Sequence, residues 1–212
     1  MRDHPITPVS EPMQYRAIGL VRGIYCPEDP DHFTRGVLRD EKGLEIECVV
    51  LGRLLTLMRR HISMEKPHLW VVYPRCKEEK HLHLQLAGVW EPSTLKLEDN
   101  VQDLEKKEWE KQDQISEGDN YFSIRGELVF TKPEEDQLII KIRQKPRKTN
   151  KKLLPFKIHI NGRIPRENLQ SFISLDVRRV GENLTMENYE IIGAMPDRNR
   201  QKNRGTSKNI KI

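Results

Sequence analysis

The sequence has few of the features that mark disulfide-linked, secreted or membrane-spanning proteins. Its 212 residues include three cysteines, Cys26, Cys48 and Cys76, an odd number with no paired spacing. A disulfide framework is therefore not expected, and a reducing, cytoplasmic location is. The N-terminal stretch has no apolar signal region, and no apolar run approaches the ~18 residues that span a membrane.

Sequence motifs for catalysis are also missing. The phosphate loops GxxxxGK[ST] and GxGxxG do not occur. A Cys-His nucleophile needs both groups close together with a third group to orient them. Cys48 alternates into a predicted core, and Cys26 has only His32 nearby in the sequence. We therefore expect no enzyme activity and no cofactor.

The strongest metal-binding pattern in the sequence is weak. His81 and His83 would lie on one face of a strand, with Cys76 nearby. A structural zinc site needs four nitrogen or sulfur ligands, and the fourth would have to come from His61 or His68. Solvated histidines are the expected reading, and elemental analysis tests the alternative of a metal enzyme.

Charge is distributed unevenly along the chain. The net charge is +5, and 33% of residues are charged. Residues 141–157 contain eight Lys or Arg and no acid, whereas residues 96–119 contain nine acids against four lysines. The segment 197–212 is basic, polar and free of acids after Asp197, as in tails that order only on an acidic partner.

Two halves of the chain repeat one order of elements. YRAIGLVRGIYCPE begins at Tyr15 and YFSIRGELVFTKPE begins at Tyr121, about 106 residues later. Each stretch opens a series of short segments with alternating apolar residues, which is typical of strands. The first series runs strand, strand, strand, helix, strand, strand. The helix is predicted from Leu54, Leu55, Met58 and Ile62 at helical spacing. In the second series, GRIPRENLQ replaces the helix with one turn at most.

This element order resembles the OB-fold, a five-stranded Greek-key barrel. The resemblance implies a mainly β protein with two such barrels in tandem, as in single-strand-binding and related nucleic-acid proteins, the first barrel having a short helix between strands 3 and 4. The domain boundaries expected are a flexible leader (1–14), the first barrel (15–92), an acidic linker that is either partly helical or disordered (93–120), the second barrel (121–196) and a basic tail (197–212).

The resemblance places the ligand on strands two and three and their flanking loops. In the second repeat these elements carry an acid-free set of cations. We expect RNA or single-stranded DNA to be bound mainly through phosphates, with little sequence readout. The candidate residues are Lys141, Arg143, Lys145, Arg147, Lys148, Lys151, Lys152, Lys157, His159, Arg163, Arg166 and Arg178.

Aromatic side chains that could stack on bases are scarce in the second repeat. Strict alternation points Phe130 inward with Leu128, which leaves Tyr121, and in second place Phe172 or Tyr189, near the outer face. Weak, sequence-tolerant binding is therefore expected.

The first repeat has a mixed outer surface, and it favours a different partner. Arg35 and Arg39 face outward on its second strand, and Glu45 and Glu47 on its third. Such a surface suits a protein partner better than a phosphate backbone. The competing hypothesis is a protein-protein adaptor that uses this surface and the acidic linker without nucleic acid.

Overall fold

The structure is a computed structural model that describes residues 4–77, 81–91, 115–144 and 153–196. The predicted tail and most of the predicted linker lie outside these residues. Within them, no helix is both long and apolar enough to cross a membrane.

The first barrel closes as predicted. Its elements are β1 (Arg16–Asp29), β2 (His32–Arg39), β3 (Glu45–Val50), α1 (Gly52–His61), β4 (His68–Lys77) and β5 (His81–Val89). The strands pair in the order β1-β2-β3-β5-β4 and return to β1, with β3 parallel to β5 and the other pairs antiparallel.

The second barrel repeats this topology. Its strands are β6 (Tyr121–Lys132), β7 (Gln137–Ile142), β8 (Phe156–Asn161), β9 (Ser171–Val180) and β10 (Asn183–Ala194). They pair in the order β6-β7-β8-β10-β9 and return to β6, with β8 parallel to β10. A single 3-10 turn, Arg166–Asn168, takes the place of the helix. The tandem OB-like architecture with one helix in the first barrel is thus confirmed.

The helix α1 closes one end of the first barrel with its apolar stripe. Leu54 and Met58 are buried in the core, one turn apart. Arg59, Arg60 and His61 occupy the last turn. Positive charge is favourable there, because the C-terminal end of the helix dipole is negative.

The two barrels share one continuous sheet, which the repeat pattern did not predict. The start of β1 pairs antiparallel with the start of β6, from Arg16 opposite Arg125 to Leu20 opposite Tyr121. Gly19 allows this contact, because a Cβ atom there would lie 2.2 Å from the Phe122 ring. The buried core runs through both barrels, so we expect them to unfold together.

A buried ion pair also joins the barrels. Arg179 Nη2 of β9 lies 2.6 Å from Asp40 Oδ2 in the turn after β2, and both side chains are almost fully buried. Arg179 also donates to Asn120 Oδ1 at 2.8 Å and to the Gly181 carbonyl at 2.9 Å.

The expected flexible leader is held against the seam between the barrels from His4 onward. Ile6 is buried beside Leu20 and Leu69. Arg16 donates to the Thr7 carbonyl at 2.6 Å, and Arg125 donates to the Pro12 carbonyl at 2.6 Å. The contact of Arg125 could not be predicted from local patterns, because 113 residues separate it from Pro12.

Candidate nucleic-acid interface

The outer wall of the second barrel places two predicted cations side by side. We call the outward faces of β7 and β8 the β7–β8 wall. Lys141 on β7 is the cross-strand neighbour of Lys157 on β8, and Ile139 is the neighbour of His159. Facing residues on antiparallel strands have Cβ atoms about 5 Å apart. The Lys157 side chain is exposed, and among the described residues it has no carboxylate partner.

A β-bulge adds an aromatic ring to this wall. Between Leu128 and Phe130 the pairing of β6 with β7 shifts by one residue, so that Phe130 lies opposite Ile139. Such a bulge reverses which face the later residues occupy. Phe130 is 40% exposed, while Thr131 is buried and donates to the Ile164 carbonyl at 2.7 Å. The prediction that Phe130 points inward is therefore wrong.

Together with β6, the β7–β8 wall presents two adjoining rows of residues across three strands. One row contains Phe130, Ile139 and His159. The next contains Glu127, Lys141 and Lys157. An exposed aromatic ring thus lies one row from two lysines, which is the combination that single-stranded nucleic acid needs for base stacking and phosphate contact.

A cavity of about 290 Å³ opens at one end of this wall. Its lining comes from β6, the β7–β8 wall, the turns that precede β7 and β10, the start of β10, and the β4–β5 hairpin of the first barrel. The lining residues include Phe130, Gln137, His159, Asn161, Glu135, Glu182 and Asn183 from the second barrel and Cys76 and Leu82 from the first. The first barrel therefore contributes to the lining of this cavity.

One carboxylate lies within the cationic row. Glu127 forms an ion pair with Arg143 and lies 3.8 Å from Lys141 Nζ. Burial and the Glu127 carboxylate raise the pKa of Tyr15, so its hydroxyl stays protonated and donates to Glu127. Glu127 therefore holds the cations in place and also neutralises part of their charge.

Three other candidate arginines are paired with acids elsewhere. Arg163 binds Asp136, and Arg166 binds Glu134 at 3.0 Å, both in the exposed turn between β6 and β7. Arg178 lies on β9, which does not neighbour β7, and it binds Glu187 at 2.9 Å. The structure thus brings Lys141, Arg143, Lys157 and His159 together and leaves Arg178 apart. The remaining candidates, Lys145, Arg147, Lys148, Lys151 and Lys152, lie outside the described residues.

Sequence reasoning missed one cation, Arg75. Its guanidinium carbon stands 3.9 Å from the centre of the Phe156 ring, across the boundary between the barrels. Burial lowers the pKa of Arg75. No carboxylate among the described residues pairs with it, which is unusual for a half-buried arginine. Only the packing of the β4–β5 hairpin on β8 reveals this position.

The corresponding wall of the first barrel is largely self-neutralised. Arg39 binds Glu45 at 2.7 Å, and His81 lies 3.6 Å from Glu47. Arg35 is exposed opposite Val49. A wall of alternating charge favours phosphate contact less than the β7–β8 wall does.

The metal candidates do not converge. Cys76 pairs with Leu82, whereas His81 and His83 pair with Lys77 and Arg75, which alternate to the other face of the hairpin. In the part of the chain that the structure describes, no three His, Cys, Asp or Glu side chains form a metal-binding group.

Comparison with known families agrees with this geometry. Residues 17–97 match the family described as PatR RNA-binding protein, N-terminal OB-fold domain. Residues 124–193 match the family described as cyanobacterial OB-fold-like RNA-binding domain, C-terminal. No curated protein matches the sequence. The two matches cover both barrels and support RNA binding without catalysis.

Proposed function

The chain belongs to the tandem OB-fold proteins of the nucleic-acid-binding type, and we propose that its second barrel holds single-stranded RNA across the β7–β8 wall. Phosphates contact Lys141 and Lys157, and a base stacks on Phe130. Single-stranded DNA offers the same phosphates and is the comparison ligand for every measurement below.

The observation that carries this proposal is the exposed Phe130 ring beside two neighbouring lysines. A surface strand with lysines alone is most often only solvated. An exposed phenylalanine near them leaves apolar surface in contact with water, which is unfavourable. A base stacked on the ring would cover that surface. The wall also has the position at which OB-folds bind oligonucleotides.

The charged side chains of the wall favour weak contacts with the RNA phosphates. Lysines act as point charges toward phosphates, whereas arginines can donate two parallel hydrogen bonds. Arg75 and Arg143 flank the wall and could add such contacts, although Arg143 must first leave Glu127. Each phosphate contact in single-stranded RNA should add about 0.7 to the slope of log affinity against log salt concentration.

Removing the Phe130 ring tests the proposal. Phe130→Ala should weaken binding of a single-stranded RNA nonamer by about 5- to 100-fold, because one stacked base contributes ~1–3 kcal/mol. Fluorescence anisotropy measures this affinity. Phe130→Tyr keeps the ring and should bind nearly as tightly as the unchanged protein. Equal affinity of the alanine variant would refute stacking on this ring.

Neutralising Glu127 should strengthen binding. Glu127→Gln keeps an acceptor for the Tyr15 hydroxyl but stops competing with phosphates for Lys141 and Arg143. We expect up to about fivefold tighter RNA binding at low salt, the scale of a partly exposed ion pair, and a steeper salt dependence. Glu45→Gln, which alters an arginine-paired acid on the first barrel, is the matched control. If both variants tighten binding equally, only net charge matters and the local competition is disproved.

A further inference from the structure

We propose that the cavity beside Phe130 is a base-reading pocket that selects bases carrying an exocyclic amino group over uracil. This inference rests on the proposed function and deepens it. The β7–β8 wall was expected to be sequence-tolerant, and the cavity gives it a means of discrimination.

The cavity has the size and shape for one base. A cavity of roughly 150 Å³ is enough to enclose benzene, and this one measures about 290 Å³. Phe130 provides an apolar face on one side. Cys76 and Leu82 add apolar surface to the cavity from the first barrel. A base that stacks on Phe130 can therefore meet both apolar and polar side chains of the second barrel, and the polar ones can read its edge.

The polar lining is rich in hydrogen-bond acceptors. Gln137 and Asn161 are cross-strand neighbours, and both line the cavity. Glu182 contributes a carboxylate from the turn between β9 and β10, and Glu135 contributes a second from the turn before β7. The only described cation that binds Glu135 is Lys132, and Glu182 forms no ion pair among the described residues.

This lining matches amino groups better than carbonyl groups. Carboxylates accept from the cytosine N4 amine, and side-chain amides pair in two places with adenine. At the position of the cytosine amine, uracil has a carbonyl oxygen, which a carboxylate repels. With uracil, the carboxylate at this position loses its donor and faces a carbonyl oxygen instead, and this difference is what produces discrimination.

Oligo(C) and oligo(U) form the matched comparison, because the two pyrimidines have equal size. We expect the unchanged protein to bind a cytidine nonamer about tenfold more tightly than a uridine nonamer at neutral pH. Glu182→Ala should bring this ratio close to one while leaving affinity for oligo(U) unchanged or higher. Glu134→Ala removes the same charge from a side chain that does not itself line the cavity, and it should keep the ratio.

The outcomes separate the two proposals. Failure to bind either nonamer would refute RNA binding at this wall. Equal binding of both, with loss on Phe130→Ala, would refute base selection and leave the proposed function intact. A cytidine preference that survives both Glu182→Ala and Asn161→Ala would place base selection outside this cavity and also overturn the inference.

Discussion

Reversing the two lysines of the β7–β8 wall, Lys141→Glu with Lys157→Glu, should weaken binding of single-stranded RNA by about 100-fold. Each lysine donates a charge-assisted contact of about 1.5 kcal/mol or more to a phosphate, and a factor of ten corresponds to about 1.4 kcal/mol. The slope of log affinity against log salt should also fall by about 1.4, since two phosphate contacts are lost. Anisotropy titrations at several salt concentrations measure both quantities.

The matched control reverses two exposed arginines of the first barrel. Arg35→Glu with Arg53→Glu changes the net charge by the same amount on β2 and α1, neither of which pairs with β7 or β8. We expect a loss of no more than about threefold, because salt screens charges beyond about 10 Å. Equal losses for the two double variants would mean that net charge, and not this wall, attracts the RNA. A large loss for the control alone would show that the RNA binds the first barrel and not the β7–β8 wall.

The second large effect concerns the ion pair that joins the barrels. Asp40→Ala should lower the free energy of unfolding by about 3–5 kcal/mol, because it leaves the Arg179 guanidinium buried without a counter-charge. The Arg179 side chain is 2% exposed and the Asp40 side chain 9%. Denaturant unfolding, followed by fluorescence of the tryptophans, measures the change.

Two further variants isolate the cause. Asp40 also accepts backbone hydrogen bonds from Lys42 and Leu44, both at 3.0 Å. Asp40→Asn retains an acceptor for this turn. It should still show most of the loss in unfolding free energy that is expected for Asp40→Ala. Glu45→Ala breaks the exposed pair with Arg39 and should leave the free energy of unfolding nearly unchanged. An Asp40→Asn protein as stable as the unchanged one would show that the buried pair contributes nothing.

The same pair predicts how stability depends on pH. Burial alone would raise the pKa of Asp40, but hydrogen bonds from Arg179 and the turn lower it below its usual value. A carboxyl with a depressed folded-state pKa stabilises the fold at all pH values above its unfolded pKa of about 3.9. The contribution of Asp40 is therefore present at neutral pH and is lost only as the pH falls through the depressed value.

Much of the fold could be predicted from the sequence, because local patterns determined it. Alternation in QLIIKIR and PFKIHIN placed Leu138 and Ile158 inside and Lys141 and Lys157 outside, as observed. The spacing of Leu54 and Met58 predicted the helix α1. Repetition of the element order then indicated two barrels with equal topology.

The rest depends on contacts between distant segments. An extra residue in β6 turned Phe130 outward, and nothing in GELVFTK distinguishes a bulge from regular alternation. The β1–β6 pairing places Arg125 over the leader, and hairpin packing places Arg75 over Phe156. Composition likewise indicated an acid-free cationic run but could not show that Glu127 on β6 would lie within it.

The central claim is that RNA lies across the β7–β8 wall of the second barrel, and amide NMR of the full chain during titration with a short single-stranded RNA tests it most directly. The predicted result is that shifts concentrate on residues 127–130, 137–143 and 157–161, with smaller changes at Arg75 and Cys76. Shifts confined to β2 and β3 of the first barrel, or spread evenly over exposed cations, would contradict this assignment.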